Sequence, residues 1–154
     1  MTSTEGRILL GVVSAVLITA CGGGEPTAPP APEYPQVAGT YTGFVTLRMS
    51  AFAGSADFPM TLNVVQSGAQ VTFSGSVTAA GEVLQLPART GTVNQTGFVT
   101  TGGASDNEPW EDATCGTVTT TDSSLAFRGN AAELYLGANT DHCGFLTISG
   151  VLTR

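Results

Sequence analysis

From Gln36 to Arg154 apolar and polar residues alternate with a period of two. Tyr41, Gly43, Val45, Leu47 and Met49 share one parity, and Thr40, Thr42, Thr46 and Arg48 the other. The same rhythm runs through Phe58, Met60, Leu62 and Val64, through Val71, Phe73, Gly75 and Val77, and through Leu146, Ile148, Gly150 and Leu152. Shorter runs carry it at Leu125 and Phe127 and at Leu134 and Leu136. Successive side chains of a strand point to opposite faces, so the pattern predicts strands with one buried face. Abundant Thr and Val agree, because branched side chains fit a pleated, half-buried surface. No window carries an apolar stripe at the helical period. Less regular strands are expected at Val83–Leu86, Gly91–Val93, Gly97–Thr101 and Cys115–Thr121.

Turn chemistry separates these runs. Gln66-Ser67-Gly68-Ala69, Arg128-Gly129-Asn130 and the segment Gly137 to Asp141 read as punctuation, giving about eight to ten antiparallel strands. A sheet of that size with one apolar face must roll up or pair with a second sheet, or that face stays wet. Short turns between consecutive runs favour an all-β antiparallel meander barrel, with a two-sheet sandwich as the alternative. Gly43, Gly75 and Gly150 fall on inward positions, where Gly marks a bend or a close backbone approach. A small internal cavity is the other reading of the missing side chains.

Ahead of the strands the pattern changes twice. Ile8 to Ile18 is an uninterrupted apolar run after Arg7. It is too short to cross about 30 Å of hydrocarbon as a helix and suits the apolar region of a secretory signal. Ile18-Thr19-Ala20-Cys21 follows, and it resembles the lipobox of bacterial lipoproteins: an aliphatic residue, two small residues, then cysteine. The resemblance implies a signal peptide at 1–20, cleavage before Cys21, and acylation of Cys21 with diacylglycerol and a further palmitate-like chain. Two or more acyl chains hold stably in a bilayer, at about 0.8 kcal/mol per buried CH₂. Gly22 is not the Asp that resembles an inner-membrane retention signal, so the outer membrane is the expected site in a host that has one. Residues 21–35 then form a lipidated Gly/Pro linker, and 36–154 the β domain. Polyproline-rich chain rises about 3.1 Å per residue, so the linker holds the domain up to roughly 40 Å from the membrane. The expected location is the cell envelope, with the domain outside the cytoplasm.

Charge narrows the partners. Among 154 residues, 12 are acidic and 5 basic, for a net charge of −7, and there is no Lys. A chain without a basic cluster lacks the cations that phosphate contacts need, which excludes a nucleic-acid binder. With Cys21 taken by lipid, Cys115 and Cys143 remain, and an even pair in an exported domain reads as a disulfide. His142 next to Cys143 on a strand would face the other way, which argues against a shared metal site or a Cys–His nucleophile. The densest charge cluster is Asp106-Asn107-Glu108-Pro109-Trp110-Glu111-Asp112, read as a loop because of Gly102, Gly103 and Pro109. Its spacing does not match an EF-hand loop. The chain has one His and no Gly-x-Ser-x-Gly elbow. No catalytic residue, metal ligand or cofactor is therefore assigned.

In general architecture, strand pattern and size, the domain resembles the small lipocalin-like barrels of many bacterial lipoproteins. A barrel of eight strands is filled by side chains or holds one small ligand. The resulting expectation is a membrane-anchored lipoprotein with a non-enzymatic binding or structural domain. Its partners are the bilayer, through Cys21, and either an envelope protein or a small lipophilic ligand. The alternatives are an envelope hydrolase or Ca²⁺-binding module using 106–112, and a subunit of an envelope assembly.

Overall fold

The computed structural model describes residues 33–101 and 108–154. The expected signal peptide (1–20), Cys21 and most of the expected linker lie outside the described residues, as do Asp106 and Asn107. Nine antiparallel strands account for the fold: β1 (Gly39–Met49), β2 (Ser55–Ser67), β3 (Gln70–Ala79), β4 (Glu82–Val93), β5 (Phe98–Thr100), β6 (Trp110–Asp112), β7 (Gly116–Arg128), β8 (Ala131–Thr140) and β9 (Phe145–Thr153). Consecutive strands pair throughout except β5 with β6, which instead both pair with β7. The ring closes twice over: β1 joins β9, with Gly43 opposite Leu152, and β5 joins β7, with Val99 opposite Leu125. The result is a closed eight-stranded meander barrel, with β6 as a short addition on the β7 edge. Closure removes the edges that a flat sheet would expose.

The alternating residues fill the barrel as their parity demands. Tyr41, Val45, Leu47, Met60, Leu62, Val64, Val71, Val77, Leu146, Ile148 and Leu152 are all buried. At Gly150 strands β9 and β1 come close. A Cβ there would lie 2.7 Å from the Phe44 carbonyl oxygen and 3.0 Å from Val45 Cα. At Gly75 it would lie 2.9 Å from the Thr61 carbonyl oxygen. These glycines therefore answer to close backbone approach, with no space for a side chain. Below them the interior is packed, leaving a void of about 30 Å³ beside Gly75, Arg89 and Trp110.

Two bulges reverse parity within a strand. In β4, Leu86 pairs with Gly75 and Arg89 with Phe73, so Pro87 and Ala88 together face Ser74. Pro87 offers no N–H, and a bulge is where a strand tolerates that. In β7 the register shifts between Thr120 and Asp122, so that Val118 and Thr120 face inward before it and Leu125 and Phe127 after it. These shifts explain why the sequence pattern breaks each strand into two expected pieces, Val83–Leu86 with Gly91–Val93, and Cys115–Thr121 with the Leu125 run. Each pair is one strand. A third expectation also fails: Gly137 to Asp141 is not a turn. Strand β8 runs on to Thr140 and the chain reverses at Asp141–Gly144. Gly137 is needed inside the strand because the Phe145 ring, 3.2 Å from a Cβ built there, occupies its side-chain space.

The two ends of the barrel differ. At one end the chain enters through Pro35 and Val37, and Gln66 clamps this segment: its Oε1 accepts the Val37 N–H at 2.7 Å and its Nε2 donates to the Pro35 carbonyl at 2.9 Å. Val37 is buried, and its carbonyl accepts the Tyr41 hydroxyl at 2.9 Å. The Arg154 guanidinium lies 5.6 Å from the Tyr41 ring centre, and the Tyr41 and Phe127 rings are 5.4 Å apart. This end is plugged. The other end carries the β1–β2 loop, the β3–β4 and β6–β7 turns and the β8–β9 loop, and it is open.

Candidate functional site

The open end holds a pocket of about 440 Å³. Its floor is set by strand parity. Leu47 and Met49 from β1, Phe58 from β2 and Leu84 from β4 continue the inward rows of the barrel and end them at the pocket. Its walls are three connections: Phe52 to Ala56 from the β1–β2 loop, Ala79 to Val83 from the β3–β4 turn, and Asp112 to Cys115 from the β6–β7 turn. Phe52 and Val83 are exposed at the rim. The surface is mostly apolar, with the carboxylates of Glu82 and Asp112 as its charged groups.

Each wall is fixed by identifiable contacts. Ser50 donates its N–H to the Phe145 carbonyl at 2.8 Å, and its Oγ accepts the Phe145 N–H at 2.7 Å. These bonds hold the base of the β1–β2 loop on β9. The β3–β4 turn is a two-residue connection with positive φ at both Ala80 (53°) and Gly81 (90°), the backbone that matches strand twist in a tight hairpin. Ala80 is the single non-glycine residue with positive φ among the described residues. A left-handed conformation costs an ordinary residue about 1–2 kcal/mol, so local strain sits on the pocket rim. Asp112 Oδ1 accepts the N–H groups of Thr114 (3.0 Å) and Cys115 (2.8 Å), which shapes the β6–β7 turn.

The disulfide backs this wall. Cys115 and Cys143 are bonded and buried, with 28 residues of sequence separation. His142 is exposed, donating its N–H to the Cys115 carbonyl at 3.0 Å. Nearby, Asp141 Oδ2 accepts the Thr117 N–H at 3.0 Å. Hydrogen bonds from Thr117 hold the Asp141 carboxyl below its usual range, against a small opposing effect of desolvation and with help from His142.

The acidic segment is placed differently from the sequence expectation of a loop. Trp110–Asp112 forms β6, pairing with Val118, Thr117 and Gly116. The cross-strand partners outweigh the Pro109 signal, since Pro109 lies just outside the paired residues. Glu108 is exposed, and Glu111 Oε1 accepts the Thr117 hydroxyl at 3.1 Å. Asp112 alone of the described carboxylates in this segment reaches the pocket. Among the described residues no three His, Cys, Asp or Glu side chains converge as a metal site would need. No helix among them is long and apolar enough to cross a membrane.

One interior group escapes the sequence pattern. Arg89 is buried in the barrel, donates Nη2 to Thr120 Oγ1 at 2.7 Å, and lies 5.5 Å from the Trp110 ring centre. Continued alternation from Leu84 and Leu86 would turn Arg89 outward; the bulge at Pro87 turns it in. Pro87 within an alternating run was the available signal. On the outer wall Phe44 and Val151 pair across β1 and β9 and are both exposed.

Fold and site together define a closed eight-stranded meander barrel, plugged at the end where the chain enters and hollowed at the other. No protein-family model matches this sequence, and no curated protein matches it.

Proposed function

We propose that this chain is an envelope lipoprotein, held at a membrane by acylated Cys21, whose barrel binds a small lipophilic molecule at its open end. The observation that carries the reading is the mouth pocket. At about 440 Å³ it falls within the roughly 300–1,000 Å³ range of small-molecule sites and shares their mostly apolar lining. The lipobox-like Ile18-Thr19-Ala20-Cys21 and the Gly/Pro linker support the anchor. The described chain enters the barrel through Pro35 and Val37 at the plugged end, opposite the mouth.

Two experiments test the two halves. Cys21→Ser should move the protein out of the membrane fraction; persistence there would refute the anchor. Titration of the full chain with N-phenyl-1-naphthylamine, an uncharged apolar fluorophore, should give saturable fluorescence that Met49→Asp or Phe58→Asp weakens. Unchanged binding in both folded variants would remove the pocket reading. A second reading, a subunit of an envelope assembly, is favoured by the adjacent exposed Phe44 and Val151 on the outer wall. Mass photometry of the solubilised protein from its own membrane would show a stable complex if that reading holds.

A further inference from the structure

The charged side chains that line the mouth pocket are of one sign. Glu82 and Asp112 line the pocket, and no basic residue does. The sequence contains no Lys. No Arg of the described residues is in that lining. Arg48 is at the mouth end of β1, opposite Ser55, but is exposed on the outward parity of that strand, and Arg89 is buried in the middle of the barrel beside Thr120. Arg128 pairs with Glu133 near the plugged end, at 3.1 Å, and Arg154 donates to the Ala38 carbonyl at that same end. The protein as a whole carries a net charge of −7, which adds a long-range attraction for cations and a repulsion for anions. Two aromatic rings, Phe52 and Phe58, also line the pocket, and a ring face attracts an ammonium group.

We infer that the mouth pocket selects lipophilic cations: molecules with an apolar body the size of one or two rings and a single ammonium head. The body replaces water against Leu47, Met49, Phe58 and Leu84, and the head stays at the rim between Glu82 and Asp112. An anionic amphiphile of the same body meets two carboxylates and no basic side chain in the lining, so it is disfavoured. This rests on the pocket being a ligand site and adds the chemical class of the ligand. Asp112 can serve in this way while shaping its turn, because the two backbone N–H groups occupy Oδ1 and its charge is shared with Oδ2.

Three probes with one body and different heads test it: 1-naphthylmethylammonium, 1-naphthalenemethanol and 1-naphthoate. Binding is measured by equilibrium dialysis of the full chain in lipid nanodiscs, with empty nanodiscs subtracted. At low ionic strength the ammonium should bind more tightly than the carboxylate by on the order of tenfold, with the alcohol between. The preference should shrink as salt is added. In Glu82→Gln/Asp112→Asn the ammonium and carboxylate should converge on the alcohol, whose own affinity stays unchanged. Asn retains the Oδ1 acceptor that the turn requires, and the single Glu82→Gln change, at an exposed residue, should remove about half of the logarithmic preference. Carboxylate binding equal to ammonium binding in the natural protein would overturn the inference while leaving the pocket reading intact. So would a preference that survives the double substitution. Failure of all three probes to bind would remove both.

Discussion

Replacing Gly150 with Ala tests how tightly the barrel is wound. The added Cβ would lie 2.7 Å from the Phe44 carbonyl oxygen, 2.9 Å from Val45 Cγ1 and 3.0 Å from Val45 Cα. Comfortable contact between carbon atoms begins at about 3.5 Å, so the overlap is roughly 0.5 Å or more. Two of the three atoms are backbone of β1, and no side-chain rotation relieves them. Strands β1 and β9 must part where Val45 faces Gly150. Overpacking of this kind costs about 1–3 kcal/mol. Against it, Ala narrows the unfolded ensemble and returns about 0.4–1 kcal/mol. The net loss should be about 1–2 kcal/mol. With a urea m-value near 2 kcal/mol/M, the midpoint should fall by about 0.5–1 M. Trp110 is the only Trp, so its fluorescence reports unfolding. Gly43→Ala is the internal comparison: its Cβ meets the Val151 carbonyl oxygen at 3.1 Å and Leu152 Cδ2 at 3.2 Å, so it should cost less. A Gly150→Ala midpoint at or above that of the natural protein would refute the close-approach argument. So would a larger loss at Gly43.

Removing the disulfide as Cys115→Ser/Cys143→Ser should lower stability by about 3–4 kcal/mol in the chain-entropy model, read from urea midpoints under non-reducing conditions. Tyr41 predicts an alkaline limit: burial raises its phenol above the ordinary value, partly opposed by Arg154. That stabilisation is full below about pH 10 and is lost as pH climbs through the folded-state value. Melting temperatures from pH 9 to 12 should therefore fall less steeply in Tyr41→Phe than in the natural protein. Asp141 predicts the acid counterpart, since its depressed carboxyl stabilises the fold above about pH 4 and ceases to as pH drops through the folded value. Asp141→Asn should flatten the decline in urea midpoint below that pH.

The barrel was legible wherever alternation ran unbroken. The inward rows of β1, β2, β3 and β9 could be read directly, because a strand with one wet face has to place apolar groups at every second residue. The pairing of Cys115 with Cys143 followed from residue count and the expectation of export alone. Legibility failed at positions where a third strand, not local propensity, decides conformation. Gly137 reads as a turn residue until Phe145 is seen to fill its side-chain space. Pro87 and the Thr120 to Asp122 shift each insert a residue and invert parity, which hid Arg89 inside the wall and split β4 and β7 in two. Trp110–Asp112 has loop composition and is strand only because β7 offers it a ladder. The mouth pocket was the least legible feature. Its walls come from three connections separated by up to 60 or so residues, and composition says nothing of which connections share one end of a closed sheet.

The juxtaposition of Ala38 with Arg154, hydrogen-bonded at 2.7 Å, has a practical reach beyond stability. Because Arg154 lies beside the entry segment, a reporter or affinity handle fused after it would hang at the plugged end. It would leave the opposite, open rim uncovered. The same proximity lets a few glycines join Arg154 to Gln36, so a circular permutant of residues 36–154 opened at the exposed Gly129 and Asn130 should rebuild the hoop with its open rim untouched.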